Sequence, residues 1–306
     1  MGFKSLIPPS SVRPLTQSET NERKKVFGVI STRMVVQLRD ALSISSWLAL
    51  GAILQSILFV TFGHRAFIPA VALIGFRMIN AFLITVGVKA NLEMQNTILS
   101  KFSAQIPQSD GTFSGRPADG DVVVLKIGAR TDHPLGLFAP GFKVLGEYMT
   151  AMQASLEAHA THYSYLGGTS YSGMERATGN EFTYIMYFST VEGVHAFAHD
   201  PLHRDGWAWW SKAAHDHIMI YHELFRSRRG DWEAVYSNTR PIGLAATRFE
   251  GKTGGGTVFY SPVVDANRGL LATSRGRMSG MVRDGDQKLH DDLNRGTKYE
   301  AERAEV

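Results

Sequence analysis

The sequence contains no cysteine in its 306 residues. This absence excludes disulfide bonds, thiolate catalysis and metal sites with cysteine ligands, and it suits a reducing compartment. The GxGxxG dinucleotide motif, the P-loop, the HExxH zinc motif and the GxSxG nucleophile motif are absent as well. The sequence therefore has no motif for a nucleotide cofactor, a zinc protease or a serine hydrolase.

The excess of positive over negative charge is also small. The formal net charge is +4, and the lysines and arginines cluster near the two ends of the chain. A nucleic-acid surface needs a basic patch with interleaved aromatic residues. We therefore predict no nucleic-acid partner.

The N-terminal part of the chain has the composition of a membrane anchor. Residues 1–45 are polar, basic and proline-containing, which predicts a disordered segment without a signal peptide. Residues 46–63 carry no charge, and residues 66–88 carry only Arg77. Each run approaches the roughly 20 residues that cross a bilayer as a helix. The short link between them predicts a transmembrane helical hairpin over residues 46–90.

Arg77 leaves an alternative, a buried helical pair packed on a soluble domain, because a charge at the bilayer centre costs at least about 2.5 kcal/mol. Basic residues before the first run favour a cytosolic N-terminus. A hairpin would return the chain to the same side. We therefore expect a protein of the endoplasmic reticulum membrane whose C-terminal domain is cytosolic.

The remaining chain predicts a linker over residues 91–119, a folded domain over 120–249 and a mostly flexible tail over 250–306. Within the domain, residues 121–130 alternate as a strand does. The spacing of residues 142–159 predicts an amphipathic helix, and Gln153 and Glu157 do not fall on its apolar face. The pattern continues as βαββαβ, the ferredoxin-like α+β fold. Helices cover one face of such a sheet, so a second copy is expected on the other, giving a dimeric α+β barrel.

Most of the chain's histidines and four of its five tryptophans lie between residues 191 and 244. His203 precedes Trp207 and Trp210, which share a helix face and are the first candidates to wall an apolar substrate pocket. A neutral histidine beside indole rings suits a general acid or base. Packing in the core is the alternative for both tryptophans. The spacing of His195, His199 and His203 would place them on one face of an unbroken helix, where two of them could bind a metal ion. Pro201 interrupts that helix, so we predict no metal site.

Further candidates lie on the strands. His222 and Glu223 are adjacent on one strand and must face opposite sides. We predict His222 to be a second candidate base, and Glu223 to be structural, in an ion pair with Arg226, Arg228 or Arg240. The other candidates are hydrogen-bond donors Tyr236 and Asn238, and substrate contacts Tyr184 and Phe188 on the preceding buried strand.

Two motifs resemble a known family. Residues 188–207, FSTVEGVHAFAHDPLHRDGW, resemble the second half of antibiotic-biosynthesis monooxygenase domains. Residues 220–244, IYHELFRSRRGDWEAVYSNTRPIGL, resemble the C-terminal motif of a narrower group. That group contains fungal secondary-metabolite monooxygenases related to the one in the fumagillin pathway. The resemblance covers residues 120–249.

The resemblance implies a tailoring monooxygenase that acts on a small hydrophobic metabolite, a terpenoid or polyketide, with O2. Such domains often use no flavin, haem or metal: a base removes an acidic proton, and the substrate anion itself reduces O2. We therefore expect no cofactor, and a homodimer attached to a membrane. Three alternatives stay open. They are a redox-neutral cyclase or isomerase, a haem enzyme with His203 or His222 as axial ligand, and a non-catalytic scaffold.

Overall fold

The computed structural model describes residues 2–14, 25–26, 30–31, 39, 42–173, 181–212, 215–254 and 256–279. Chain contacts define two units, one of Val36–Thr97 and one of Met1–Val35 with Ile98–Val306. The helices are α1 Ile44–Phe62, α2 Ile68–Thr85, α3 Phe142–Ala158, α4 Val191–Ala198, α5 Pro201–Lys212 and α6 Ser274–Arg277. The strands are β1 Lys25–Val26, β2 Ile30–Ser31, β3 Ile98–Ala104, β4 Val122–Thr131, β5 Tyr165–Ser172, β6 Phe182–Phe188, β7 Ile218–Ser227, β8 Tyr236–Thr239, β9 Phe249–Thr253, β10 Gly256–Tyr260 and β11 Val263–Asp265.

The smaller unit contains the two apolar helices and the turn between them. Helix α1 begins where the Ser43 side chain accepts a hydrogen bond from the Ser46 amide, and it ends at Gly63, whose φ is 62°. The amide of Gln55 donates to the carbonyl of Ala66 over 3.2 Å, whereas a continuous helix would separate these residues by roughly 16 Å. The chain therefore turns back after α1, as the predicted hairpin requires.

The larger unit is built on a four-stranded antiparallel sheet in the order β5-β6-β4-β7. Strands β4, β5, β6 and β7 alternate with helix α3 and the α4–α5 pair in the βαββαβ order. This is the ferredoxin-like topology, and the predicted α+β fold is confirmed. The predicted interruption near Pro201 is present too, since α4 ends at Ala198 and α5 begins at Pro201.

The helices cover one face of this sheet. Apolar side chains alternate onto that face from β4 and β6, among them Val123, Leu125 and Met186, and they pack against Leu156 and Phe197 from the helices. Helices α3 and α5 approach closely at Gly206, where an added Cβ would lie 2.6 Å from Cε of Met152. The resulting core surrounds the candidate site described below.

The chain itself covers part of the opposite face. A three-stranded sheet in the order β11-β3-β8 places Phe102 and Val263 in one cluster with Val122 and Trp232, and Val124 packs against it. Residues 98–104 are therefore a core strand, and the prediction of a linker over 91–119 is wrong there. The bare face that motivated a second copy is smaller than expected, because β3 and its neighbours already occupy part of it.

Both ends of the domain extend beyond the predicted boundaries. Leu6 donates its amide to the carbonyl of Val263, and Ser10 pairs with Phe259, so residues 2–14 do not match the predicted disordered segment. Val263 and Leu271 are fully buried, so the prediction of a flexible tail is wrong for the described residues 250–254 and 256–279. Residues 280–306 lie outside the described part of the chain.

Candidate active site

A cavity of about 140 Å³ lies between the helices and the sheet. Its walls are mostly aliphatic, aromatic and methionine side chains. Four polar side chains interrupt this apolar lining: Gln153, Tyr184, His203 and His222. The full lining is Leu125, Ile127, Met149, Met152, Gln153, Leu156, Tyr184, Met186, Val194, Phe197, Ala198, His203 and His222.

His203 enters the cavity from the first turn of α5. The start of this helix is fixed by Asp200, which accepts from the Leu202 amide over 2.9 Å and from the Tyr163 hydroxyl over 2.6 Å. The imidazole is half-buried and packs edge to face on Phe197, with ring centroids 5.5 Å apart. Burial lowers the pKa of His203 below its ordinary 6.5; a backbone hydrogen bond at Ala198 opposes this shift, and charge on His222 adds to it. At neutral pH His203 is therefore a neutral imidazole that can accept a proton.

His222 enters the same cavity from strand β7, opposite Ile127 of β4. Strand β7 lies at one edge of the four-stranded sheet, and the His222 side chain is exposed. Its position marks the side on which the cavity meets solvent. The cavity thus brings together the two candidate bases from elements that are distant along the chain.

Gln153 is the polar residue in this cavity that the sequence prediction missed. It lies on α3 and is only 8% exposed. Its side-chain amide makes no hydrogen bond to any residue that the structure describes. Because Gln153 lines the cavity, its amide can offer hydrogen bonds to a ligand bound there. The spacing of Met149, Gln153 and Leu156 was the available signal, since these positions share one face of a helix.

Neither of the two tryptophans predicted to wall the pocket lines the cavity. Trp207 is 62% exposed on the outer side of α5. Trp210 packs against a small cluster around Leu145 and Ile218, and His215 stacks on it with centroids 5.1 Å apart. Periodicity placed both tryptophans on one face but could not tell which face met the sheet.

Of the two strand residues predicted to contact substrate, only one reaches the cavity. Tyr184 lines it from β6. Phe188, on the same face of the strand, is fully buried in the core and packs edge to face on Tyr165, with centroids 5.4 Å apart. Phe188 lies four residues beyond Tyr184, past Met186, which still lines the cavity, and at Phe188 the space is filled by protein.

Tyr236 and Asn238 are also distant from the two histidines. They lie on β8, in the three-stranded sheet, where Tyr236 stacks on Phe102 with centroids 5.0 Å apart. Tyr236 borders a second cavity of about 410 Å³ on the opposite face of the four-stranded sheet, together with Trp232 and Glu233. That cavity is larger, but its lining includes no histidine, so the predicted donor role for this pair has no geometric support.

Glu223 faces away from the cavity, as predicted from its position next to His222. Its carboxylate forms an ion pair with Lys126 at 3.1 Å, and not with the predicted arginines. Arg226 instead bonds Asp121 at 2.8 Å. The residue opposite Glu223 in the β4–β7 register is Lys126, and a cross-strand neighbour is closer than any residue along the same strand.

Comparison with known proteins identifies the family. A family model described as "Monooxygenase af470-like" matches residues 122–244. The chain is 30% identical over 272 residues to "Monooxygenase af470" of Aspergillus fumigatus, which covers 88% of this chain and 98% of that protein. The matched region contains β4 to β7 and the residues that line the cavity.

Two solved structures are also similar in part. SnoaB, a cofactor-independent oxygenase from Streptomyces nogalater, is 12% identical, covering 35% of this chain and 92% of its own, with a TM-score of 0.24. A conserved Bacteroides thetaiotaomicron protein of unknown function is 9% identical, covering 35% and 98%, with a TM-score of 0.26. Similarity at this level carries no conclusion about the reaction. The 30% identity to the Aspergillus fumigatus protein over most of both chains, together with the family match, does support a conclusion. The chain belongs to the Monooxygenase af470-like family and is an oxidoreductase of the monooxygenase type.

Proposed function

We propose that this protein is a membrane-anchored tailoring monooxygenase of fungal secondary metabolism that oxygenates an apolar, enolisable terpenoid or polyketide without a cofactor. The observation that carries the proposal is the cavity of about 140 Å³, which combines an apolar lining with two histidines and the amide of Gln153. An apolar lining binds an apolar metabolite, and the two histidines and the Gln153 amide provide what proton abstraction needs.

The reaction begins with the removal of an acidic proton from carbon. His203 is the proposed base, because its lowered pKa keeps the imidazole neutral. The substrate anion then reduces O2, and the resulting radical pair combines to a hydroperoxide. Loss of water converts the former CH2 group into a carbonyl, so one oxygen atom enters the product and the other leaves as water.

Gln153 is proposed to stabilise the developing oxyanion. Its amide N–H can donate to the enolate oxygen in a site that excludes most water, where such a hydrogen bond is stronger than in solution. His222, at the exposed side of the cavity, is the proposed second proton carrier between His203 and solvent. These roles replace those predicted for Tyr236 and Asn238.

The substrate can be found by comparing metabolites from the source organism with those from a strain in which the gene is deleted. The deletion strain should accumulate an apolar compound that differs from the missing product by one oxygen atom less and two hydrogen atoms more. A product of unchanged composition would favour the redox-neutral alternative. A Soret band in the purified protein would favour the haem alternative.

Membrane attachment is the second part of the proposal. The stretch Ile44–Thr85 is long and apolar enough to cross a membrane, and its most apolar part is not buried by the protein. Apolar side chains are exposed along both helices, for example Val60 at 86% and Phe76 at 66%. In water such a surface would be strongly unfavourable, and lipid is the cover that its length fits. The homodimer also remains a prediction, which light scattering can test.

We expect the full-length protein to sediment with membranes and to resist extraction by carbonate. Replacing Ile53 and Ile57 by lysine should release much of it, because each lysine at a helix centre costs about 2.5–3.5 kcal/mol on insertion. The matched control replaces Leu135 and Phe138, two exposed residues of the larger unit, by lysine. Wild-type protein that appears in the carbonate supernatant would contradict insertion.

A further inference from the structure

The second cavity, on the other face of the four-stranded sheet, has the size of a small-molecule site. Its volume is about 410 Å³, and ordinary ligand pockets measure roughly 300–1,000 Å³. Buried apolar side chains form much of its wall, among them Val122, Trp232 and Leu244. Val235 also lines it and is 44% exposed, so the cavity opens to solvent on that side. The proposed oxygenase chemistry makes no use of this space.

The C-terminal motif that carries the family resemblance builds one side of this cavity. Residues 232–236 and Leu244 of that motif line it. Trp232 is held in place because its indole N–H donates to the carbonyl of Gly120 over 2.7 Å. From the same motif only His222 lines the histidine cavity. Most of the distinctive motif residues therefore shape the second cavity and not the first.

Two tyrosine hydroxyls bring hydrogen-bonding groups to this apolar space. Tyr187 enters it from β6 and Tyr236 from β8. Both oxygens lie beside Gly243, where an added Cβ would be 3.2 Å from the Tyr187 oxygen and 3.7 Å from the Tyr236 oxygen. The φ of Gly243 is 59°, a left-handed conformation that glycine adopts at no steric cost. A glycine at this position therefore lets the two hydroxyls approach the same part of the cavity wall.

Both hydroxyls are set to donate rather than to accept. The Tyr236 oxygen already accepts from the Ala245 amide over 3.4 Å, and neither hydroxyl donates to a residue in the described part of the chain. Burial raises the pKa of Tyr187 to about 12, with a further contribution from Tyr236, and a backbone hydrogen bond at Leu244 opposes this shift. Burial raises the pKa of Tyr236 as well. At neutral pH both groups are therefore protonated phenols that can donate to a ligand.

The acidic residue in the lining adds no net charge to the cavity. Glu233 bonds Nε of Arg277, and this guanidinium also donates to the carbonyl of Leu271 over 3.1 Å. Arg277 is 7% exposed, so the pair is held within the protein. An anionic or cationic ligand would lose its hydration without gaining an opposite charge, and the cavity therefore favours a neutral molecule.

We propose that the second cavity is a binding site for a neutral apolar ketone, whose carbonyl oxygen accepts hydrogen bonds from Tyr187 and Tyr236. The apolar wall suits the carbon skeleton, and the two lone pairs of a carbonyl oxygen match two neutral donors. The sheet separates this site from the histidine cavity. The inference goes beyond the proposed oxygenation and does not depend on it. Tyr236 is then a donor, but in a different site from the one that the sequence predicted.

The test uses benzophenone, a neutral apolar ketone that forms covalent adducts with nearby C–H groups under ultraviolet light, with the full-length protein in lipid nanodiscs. Trypsin releases residues 230–248 as one peptide, which contains lining residues of the second cavity and none of the first. Adducts on this peptide should saturate as the concentration of benzophenone rises. Excess dicyclohexyl ketone should suppress them, and dicyclohexylmethane, which lacks the carbonyl, should suppress them far less at equal free concentration.

Two variants test the donors themselves. Tyr187→Phe and Tyr236→Phe should each raise the half-saturating concentration of benzophenone about three- to tenfold, the usual effect of losing one hydrogen bond between neutral groups. The matched control is Tyr148→Phe, which removes a hydroxyl from a helix residue that lines neither cavity. Its half-saturating concentration should equal that of the wild type.

Three results would overturn the ketone site. The first is wild-type protein without saturable adducts on residues 230–248, and the second is equal suppression by the ketone and the hydrocarbon. The third is an unchanged half-saturating concentration in both Tyr187→Phe and Tyr236→Phe, with folded protein shown by near-ultraviolet circular dichroism. The two competitors are compared on wild-type protein, so that result stands even if a variant fails to fold. Because no step consumes O2, the outcome is independent of the oxygenase proposal.

Discussion

Replacing His203 with glutamine is expected to reduce turnover by about 10²–10⁴-fold, the usual effect of losing one positioned acid–base group. The substitution keeps the size and polarity of the side chain but removes the proton acceptor from the cavity. Turnover is measured on the compound that the deletion strain accumulates, with folded protein verified by circular dichroism. His222→Gln should have a smaller effect, because its exposed position lets solvent replace it as a proton carrier.

The control for this prediction is Trp207→Phe, one turn along the same helix. Trp207 is 62% exposed and does not line the cavity, so turnover should stay close to the wild-type value. A loss in Trp207→Phe as large as that in His203→Gln would mean that α5, and not the imidazole, is what turnover requires.

The pH dependence of kcat/KM should also show whether His203 is the base. Since burial lowers the pKa of His203 below 6.5, the base stays unprotonated as pH falls to that value. The acid limb of the profile should therefore have its midpoint below pH 6.5, and it should be missing from the residual activity of His203→Gln. A midpoint above 6.5 would assign the limb to another group.

A second large effect is expected on stability, from a residue in the segment predicted to be flexible. Leu271 is fully buried in a cluster with Phe113 and Val264, and Leu271→Ala should destabilise the protein by about 2–5 kcal/mol. For a folded unit of this size that corresponds to a fall in Tm of roughly 4–20 °C. Tryptophan fluorescence during heating measures it, because four of the five tryptophans lie in the folded domain.

The neighbouring residue provides the control. Leu270 is 52% exposed, and Leu270→Ala should change stability by no more than about 0.5 kcal/mol. The two variants remove the same atoms from adjacent positions. Equal Tm values for both would mean that Leu271 is not buried in its cluster with Phe113 and Val264 as the structure has it.

The sequence predicted the parts of the fold in which one local pattern dominates. The alternation along β4 and the spacing along α3 are strong, and together with their order they lead to the ferredoxin-like topology. The C-terminal segment has no such pattern. Val263 is buried because it pairs with Ala104, a residue far away in the sequence, and nothing in the glycine-rich composition around it indicates that partner.

The candidate site was predictable only where a residue could be placed without knowing the tertiary contacts. His203 and His222 were found because histidine is rare in apolar elements. Gln153 and Glu157 were assigned to the solvent side of α3 because they are polar, yet tertiary packing buries both. Trp207 was assigned to the pocket because it is aromatic, yet it is exposed. Residue type decided these predictions, whereas the packing of α3 and α5 decides the outcome.

The most direct test of the proposed function is an isotope measurement with purified full-length protein and no added cofactor. The compound that accumulates in the deletion strain is incubated with the protein under ¹⁸O2, while O2 uptake is recorded. The account predicts one ¹⁸O atom in each product molecule and one O2 consumed for each product formed. An unlabelled product formed without O2 uptake would contradict it and would identify a redox-neutral enzyme on this fold.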